Sequence, residues 1–112
     1  MSGISTHVLD TAKGQPAQGL LVTLERQSHA ADWDLVGEGI TDSNGRISQL
    51  LRDGEALEAA TYRLLFRTVD YFAGQECFYP EVVVLFLVRE SSAKYHIPLL
   101  LSPYGYTTYR GS

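Results

Sequence analysis

The sequence predicts an antiparallel β-sandwich of about seven or eight strands, formed by one domain over residues 1–112. Short runs rich in β-branched and aromatic residues follow one another along the chain, and turn residues separate them about every 8 to 12 positions. A chain of 112 residues is also long enough to bury a core of its own. The runs predicted as strands are 4–10, 20–27, 33–42, a short one from Arg46, 61–70, 81–90, 93–102 and 104–110.

In the first half of the chain, apolar and polar residues alternate between turn signals. ISTHVLD (4–10) alternates and runs into TAKGQPAQG, a turn marked by Gly and Pro, after which LLVTLERQ (20–27) is predicted as a strand. WDLVGEGITD (33–42) alternates again, and SNG supplies turn residues before the short strand at Arg46. DGEALEAA (53–60) is interpreted as an acidic loop or one helical turn.

The next segments combine a strand, an irregular stretch and a continuous apolar run. TYRLLFRTVD (61–70) is predicted as a strand, whereas YFAGQECFYP (71–80) fits neither period and is predicted to form one helical turn ending near Gly74. EVVVLFLVRE (81–90) contains a continuous apolar run, VVVLFLV, rich in β-branched and aromatic residues. That composition predicts a strand buried on both faces.

AKYHIPLLLS (93–102) and YGYTTYR (104–110) are predicted as the closing strands. Pro98 lies inside the first of them, and proline has no N–H to donate to a ladder, so we expect an edge or bulged position there. In the last strand a regular pleat places Arg110 and Ser112 on the same face.

Composition narrows the possible partners and location. The net charge of -4 and a pI near 5.2 argue against a general nucleic-acid or anionic-membrane surface. Cys77 is the only cysteine, so we expect no intrachain disulfide and no cysteine-based zinc site, and we interpret it as a buried, inert side chain. The N-terminus does not resemble a signal peptide, and the apolar run at 82–88 is too short to span a membrane, so a cytoplasmic location is expected.

The histidines are the first candidates for chemistry. His29 lies in a polar link and is interpreted as a solvated residue, whereas His7 and His96 lie inside strand patterns. Each of these two is either a core or interface histidine with one hydrogen bond, or an acid–base group if the pair meets in space. Alternation places His7 on one face with Ser5 but does not decide between these interpretations. Two histidines are a poor metal site, and no spacing supplies a third ligand.

Arg46 is the remaining candidate. It is either an exposed surface charge or a binding residue, whose planar guanidinium would bind a flat, anionic, amide-rich ligand through paired hydrogen bonds. The sequence has no Gly-rich phosphate loop, no Gly-x-Ser-x-Gly elbow and no His-Glu-x-x-His pair. Residue-level reasoning therefore reaches a β-sandwich with two strand histidines and a tyrosine-rich ending.

Three parts of the chain resemble the transthyretin-related proteins, and specifically the 5-hydroxyisourate hydrolases. The opening THVLDTAKGQPAQGLLVTL and the turn TDSNGR match the family's first motifs, and the ending contains its Tyr-Arg-Gly-Ser tetrapeptide. Transthyretin, the carrier branch, shares the LLSPY stretch but lacks the two histidines, the arginine and the tetrapeptide. The first part is 6–24, the second is 41–46, and the third comprises 78–86 and 95–112.

The resemblance implies a transthyretin-like sandwich of about eight strands with one short helix, assembled as a homotetramer with active sites at the dimer–dimer interface. The implied reaction is hydrolysis of 5-hydroxyisourate to 2-oxo-4-hydroxy-4-carboxy-5-ureidoimidazoline in urate and purine degradation, without a cofactor or metal. The alternative is a non-catalytic carrier that holds a small aromatic ligand in the central channel of the tetramer.

The resemblance also implies the site. The implied catalytic residues are His7, Arg46, His96 and Ser112, and the implied substrate-binding residues are His7, Arg46, Tyr109, Arg110, Gly111 and Ser112. The histidines would either divide proton transfer or one would orient the other, and the sequence does not assign the base to either of them. Arg46 would hold substrate carbonyls, and Arg110 would either bind the substrate or fix the last residues in place.

Overall fold

A computed structural model describes residues 2–112, which form nine strands and one short helix. Helix α1 has four residues. No helix in the described part of the chain has the length and apolar character needed to cross a membrane. The elements are β1 (Gly3–Asp10), β2 (Gln15–Pro16), β3 (Leu21–Gln27), β4 (Trp33–Ile40), β5 (Arg46–Ile47), β6 (Ala60–Phe66), α1 (Thr68–Tyr71), β7 (Val82–Val88), β8 (Lys94–Ser102) and β9 (Gly105–Thr108).

The strands form two sheets packed face to face, which confirms the predicted β-sandwich. The front sheet has the order β2-β1-β8-β9, with β5 also paired to β1, and the back sheet has the order β4-β3-β6-β7. All pairs are antiparallel except β1 with β8, which run parallel over eight residues each. The prediction of a purely antiparallel sandwich is therefore wrong at this pair. Parallel neighbours need a long crossover, and here nearly the whole chain lies between them.

The core lies between the two sheets and comes from alternate residues of the main strands. In β1 the inward positions are fully buried, while Ser5, His7 and Leu9 on the opposite face are only half-buried. The same alternation in β8 buries Tyr95, Ile97 and Leu99 and leaves His96 half-buried. The front sheet therefore presents Ser5, His7 and His96 on its outer face. The largest fully buried side chains include Tyr62, Phe66, Ile4, Leu20, Leu24 and Leu50.

Strand β7 corrects one prediction. The segment 81–90 was predicted to be buried on both faces, but in this chain Val83, Leu85 and Leu87 are 40%, 61% and 50% exposed. The reason is that the fold has only two layers, so each sheet is covered on its inner face and the outward residues of β7 have nothing packed over them in the single chain.

The region after β6 also differs from the prediction. Strand β6 ends at Phe66, and α1 begins at Thr68, inside the run 61–70 that was predicted as a strand throughout. The Thr68 hydroxyl donates to the Tyr79 carbonyl, which holds the start of the helix against the segment before β7. Turns then continue to Gly74, whose φ of 80° suits glycine. The helical turn is therefore confirmed, but it lies earlier than expected.

Pro98 is not at an edge, because β8 pairs with β1 on one side and β9 on the other. The β8–β9 ladder ends at Leu99 with Thr108, and a single bridge then joins His96 to Gly111. Pro98 lies opposite this gap, where its missing N–H leaves no ladder bond unmade. The proline is thus accommodated by an interruption of the ladder, and the expected edge position is wrong.

Three smaller expectations are also tested by the structure. Residues 53–59 form a loop without a helical turn. Cys77 is free but half-buried, not fully buried as expected. His29 is exposed, as predicted for a residue in a polar link.

Candidate active site

The turn before β5 fixes the position of Arg46. The Asp42 carboxylate oxygen Oδ1 accepts the backbone N–H groups of Asn44 and Arg46, each at 2.9 Å. These hydrogen bonds, above all the one from Arg46, lower the pKa of Asp42 below its usual value. The nearby positive charge of Arg46 lowers it further. The carboxylate therefore stays charged and holds the turn closed at neutral pH.

Gly45 attaches the same turn to β1. Its carbonyl accepts the Val8 N–H at 2.7 Å, and its φ of 76° lies in the left-handed region. A Cβ at this position would lie 2.3 Å from the Val8 carbonyl oxygen, so no other residue fits without moving the backbone. This close approach sets the register in which Arg46 pairs with His7 across β5 and β1.

The parallel pair β1–β8 brings His96 to the same face. His96 is the register partner of Ser5, and His7 is the partner of Pro98, so the two histidines lie diagonally across adjacent strands. The Ser5 hydroxyl and His96 Nδ1 are 2.8 Å apart. Alternation in the sequence could not show whether the two histidines come together. In the structure they lie close to each other on adjacent strands.

The segment 109–112 closes the other side of His96. The Gly111 N–H donates to the His96 carbonyl at 2.8 Å. A Cβ on Gly111 would lie 2.6 Å from His96 Cδ2 and 3.1 Å from Pro98 Cγ. Glycine is therefore required for the chain to pack this closely against the imidazole ring.

These elements line a cavity of about 320 Å³ on the outer face of the front sheet, which we call the site cavity. His7 lies beside Arg46 at its margin and is not among the residues that line it. The lining residues include Ser5, Arg46, Lys94, His96, Gly111 and Ser112.

Arg110 and Tyr109 lie outside the site cavity. The Arg110 guanidinium is 4.6 Å from the centroid of the Tyr95 ring, a residue that faces the core, and Tyr109 is 56% exposed. Both residues line a second cavity of about 320 Å³ beside β7. The expectation that Arg110 and Ser112 share a face is wrong, because β9 ends at Thr108 and the following residues no longer keep a continuous ladder.

The electrostatics of the site favour a neutral His96. Partial burial lowers the pKa of His96 below its ordinary value, and the nearby positive charges of Arg46 and His7 lower it further. A neutral imidazole can accept a proton near neutral pH. Among residues 2–112, no group of three His, Cys, Asp or Glu side chains lies close enough together to hold a metal ion.

The structure thus brings together five of the residues proposed from the sequence: His7, Arg46, His96, Gly111 and Ser112. Sequence reasoning did not identify Ser5 or Lys94 as site residues. Alternation did place Ser5 on the face of His7, but only the pairing of β1 with β8 places it against His96.

A protein family and several named enzymes are similar to this chain over nearly its full length. A model of the HIUase/Transthyretin family matches residues 4–111. The chain belongs to this family. A 5-hydroxyisourate hydrolase from Mus musculus is 46% identical over 114 residues, covering 99% of this chain and 96% of that protein. A 5-hydroxyisourate hydrolase from Salmonella typhi is 41% identical over 111 residues, covering 97% of this chain and 80% of that protein.

Solved structures confirm the transthyretin-like fold. Klebsiella pneumoniae 5-hydroxyisourate hydrolase superimposes with a TM-score of 0.83 at 32% identity, covering 97% of this chain and 98% of that one. Sea bream transthyretin in complex with thyroxine superimposes with a TM-score of 0.89 at 30% identity, covering 96% and 93%. The backbone is therefore common to both branches of the family, and function has to be argued from side chains.

Proposed function

We propose that the protein is a 5-hydroxyisourate hydrolase, which acts in urate degradation by histidine-assisted attack of water. One observation carries the proposal: His7, Arg46 and His96 meet on one sheet face beside an open cavity that Ser112 also lines. Relatives that carry this enzyme's name match nearly the full chain. The proposal treats residues 1–112 as one transthyretin-like domain.

His96 acts as the general base. Its neutral imidazole takes a proton from a water molecule as the water oxygen bonds to the ring carbonyl carbon of the substrate. The ring C–N bond then breaks, and His96 returns the proton to the leaving nitrogen. Positioned acid–base groups of this kind contribute about 10²–10⁴-fold to the rate.

Arg46 and its neighbours bind and polarise the substrate. The Arg46 guanidinium donates to a substrate carbonyl and stabilises the negative charge that develops on its oxygen. His7, paired with Arg46 across β1 and β5, binds beside it, and the Ser112 hydroxyl offers a further contact to substrate or water. Arg110 and Tyr109 act indirectly, by holding the last residues in place. No cofactor takes part in this scheme.

The active form in this proposal is a homotetramer, with sites at the dimer–dimer interface. Two features support assembly: the site cavity is open to solvent in the single chain, and Val83, Leu85 and Leu87 form an exposed apolar row on β7. A cytoplasmic location belongs to the same proposal. Sedimentation and cell fractionation test these two points.

The deciding experiment generates 5-hydroxyisourate with urate oxidase and follows its ultraviolet decay with and without the protein. We expect decay well above the spontaneous rate, and loss of most of it in His96→Ala and in a variant lacking residues 109–112. His29→Ala is the matched control, because His29 is exposed and remote in the chain from every site residue. Decay at the spontaneous rate with wild-type protein would refute the proposed function.

The sea bream transthyretin complex with thyroxine supports a second candidate, a carrier of a small aromatic ligand. An iodinated phenol binding tightly in a calorimeter, in a protein without hydrolase activity, would establish it. The site cavity argues against this role, because Arg46 and Lys94 make its lining positively charged and the His96 imidazole adds a further polar group.

A further inference from the structure

The His96 ring has one hydrogen-bond partner among residues 2–112, and that partner is Ser5. The Ser5 Oγ and His96 Nδ1 atoms are 2.8 Å apart, within ordinary hydrogen-bond distance. Nε2, the other ring nitrogen, makes no hydrogen bond to any described residue. One nitrogen is thus held by the protein, while the other is left for a ligand or water.

This contact is built on a rigid part of the fold. Ser5 and His96 are direct partners in the parallel pairing of β1 with β8, which runs from Gly3 to Asp10. On the opposite face the buried Thr6 hydroxyl donates to the Ile97 carbonyl at 2.6 Å, a second link between the same two strands. A slip in register would break both contacts, so the serine is fixed relative to the ring.

The chemistry of imidazole gives this contact a consequence. A neutral ring has one protonated nitrogen, which donates, and one unprotonated nitrogen, which accepts. If Nδ1 carries the proton and donates to Ser5 Oγ, the Nε2 lone pair is free to act as a base. If Nδ1 instead accepts from the serine, Nε2 carries the proton and has no lone pair to offer.

We propose that Ser5 is a positioning residue that keeps the His96 proton on Nδ1, so that Nε2 is the basic atom of the site. When Nε2 takes a proton from water, the Nδ1–H bond to Ser5 Oγ stays as it was, and no group has to rearrange. This inference rests on the proposed function for its role in catalysis. The protonation of the ring itself is independent of that function.

The charged groups around the ring favour its neutral form, in which only one of the two nitrogens carries a proton. Arg46 approaches from β5, His7 from β1, and Lys94 lies on the same face of β8. All three are positive or able to become so, and they favour a neutral ring whose free lone pair can accept a proton. Arg110, the charged residue of the segment 109–112, lies over the Tyr95 ring instead.

The test uses the full-length protein with nitrogen-15-labelled histidine and identifies the protonated nitrogen of His96 by NMR. In wild-type protein we expect the proton on Nδ1. In Ser5→Ala we expect a shift toward protonation at Nε2, a decrease of about two- to tenfold in kcat and little change in KM, in proportion to one lost hydrogen bond. Ser5→Thr keeps a hydroxyl and should restore both the NMR signal and kcat.

Ser48→Ala is the matched control, because Ser48 also lines the site cavity but makes no hydrogen bond to His96. It should leave the His96 signals unchanged. A wild-type proton on Nε2, or Nδ1 protonation that persists unchanged in Ser5→Ala, would overturn the inference. If the NMR results are as expected but the protein has no hydrolase activity, the proposed function is refuted. The assignment of the ring proton to Nδ1 then still holds.

Discussion

Replacing Gly111 with alanine is the most direct perturbation of the site that the structure offers. The added methyl group would lie 2.6 Å from His96 Cδ2, whereas ordinary contacts begin near 3.4 Å. The ring or the closing segment therefore has to move by about 0.8 Å. The ring lies between Gly111 on one side and Ser5 on the other, so it cannot retreat without compressing its contact with the serine.

The expected cost falls on catalysis and not on folding. A displacement of about 1 Å in a catalytic group can cost about 100-fold in rate, or roughly 2.7 kcal/mol of transition-state stabilisation. Gly111 does not have a positive φ, so alanine introduces no backbone strain there. We therefore expect kcat/KM for 5-hydroxyisourate to fall by about 100-fold while the melting temperature changes little.

Gly105→Ala is the matched control from the same terminal hairpin. Its φ is also not positive, and an added Cβ would meet only the Ser102 hydroxyl, at 3.9 Å. Steady-state kinetics and thermal melts of both variants decide the matter. If Gly111→Ala keeps a rate within about twofold of wild type, contact between this segment and His96 is not important for catalysis, and the reasoning is wrong.

Three further predictions concern charge and packing. The acid limb of kcat/KM should have its midpoint below about pH 6.5, because the His96 pKa is lowered, and Arg46→Gln should raise that pKa in an NMR titration. Arg110→Ala should lower kcat/KM about two- to fivefold by removing the contact with Tyr95, with partial recovery in Arg110→Lys; unchanged kinetics would exclude an anchoring role. Asp42→Asn should lower the melting temperature at neutral pH. The difference from wild type should shrink below about pH 4, because the stability linked to the lowered Asp42 pKa is lost there. A difference in melting temperature that does not depend on pH would contradict this.

The parts of the fold that follow local rules could be predicted from the sequence. Alternation and turn residues located the main strands, because they depend on neighbours a few positions apart. The parallel pairing of β1 with β8 could not be predicted in this way, since Ser5 and His96 are 91 positions apart. Family resemblance supplied His7, Arg46 and His96 as a set, but not the serine that holds one of them.

Strand β7 shows a different limit. Its continuous apolar sequence predicted burial on both faces, yet one chain covers only one face and leaves Leu85 61% exposed. An apolar sequence predicts that its side chains are buried, but it does not show whether the same chain or another subunit buries them. The discrepancy is therefore what assembly through this strand would produce, and it agrees with the proposed tetramer.

The similarity to both branches of the family limits where a difference in function can reside. The backbone superimposes on the thyroxine complex with a TM-score of 0.89 and on the hydrolase with 0.83, so the overall fold does not separate the two roles. The separation has to come from side chains on the outer face of the front sheet. There, Gly45 sets Arg46 against β1, Ser5 holds one nitrogen of His96, and Gly111 lets the closing segment reach the ring. Two glycines and a serine therefore matter to the proposed chemistry, because they place the arginine and the imidazole to which the proposal gives the catalytic roles.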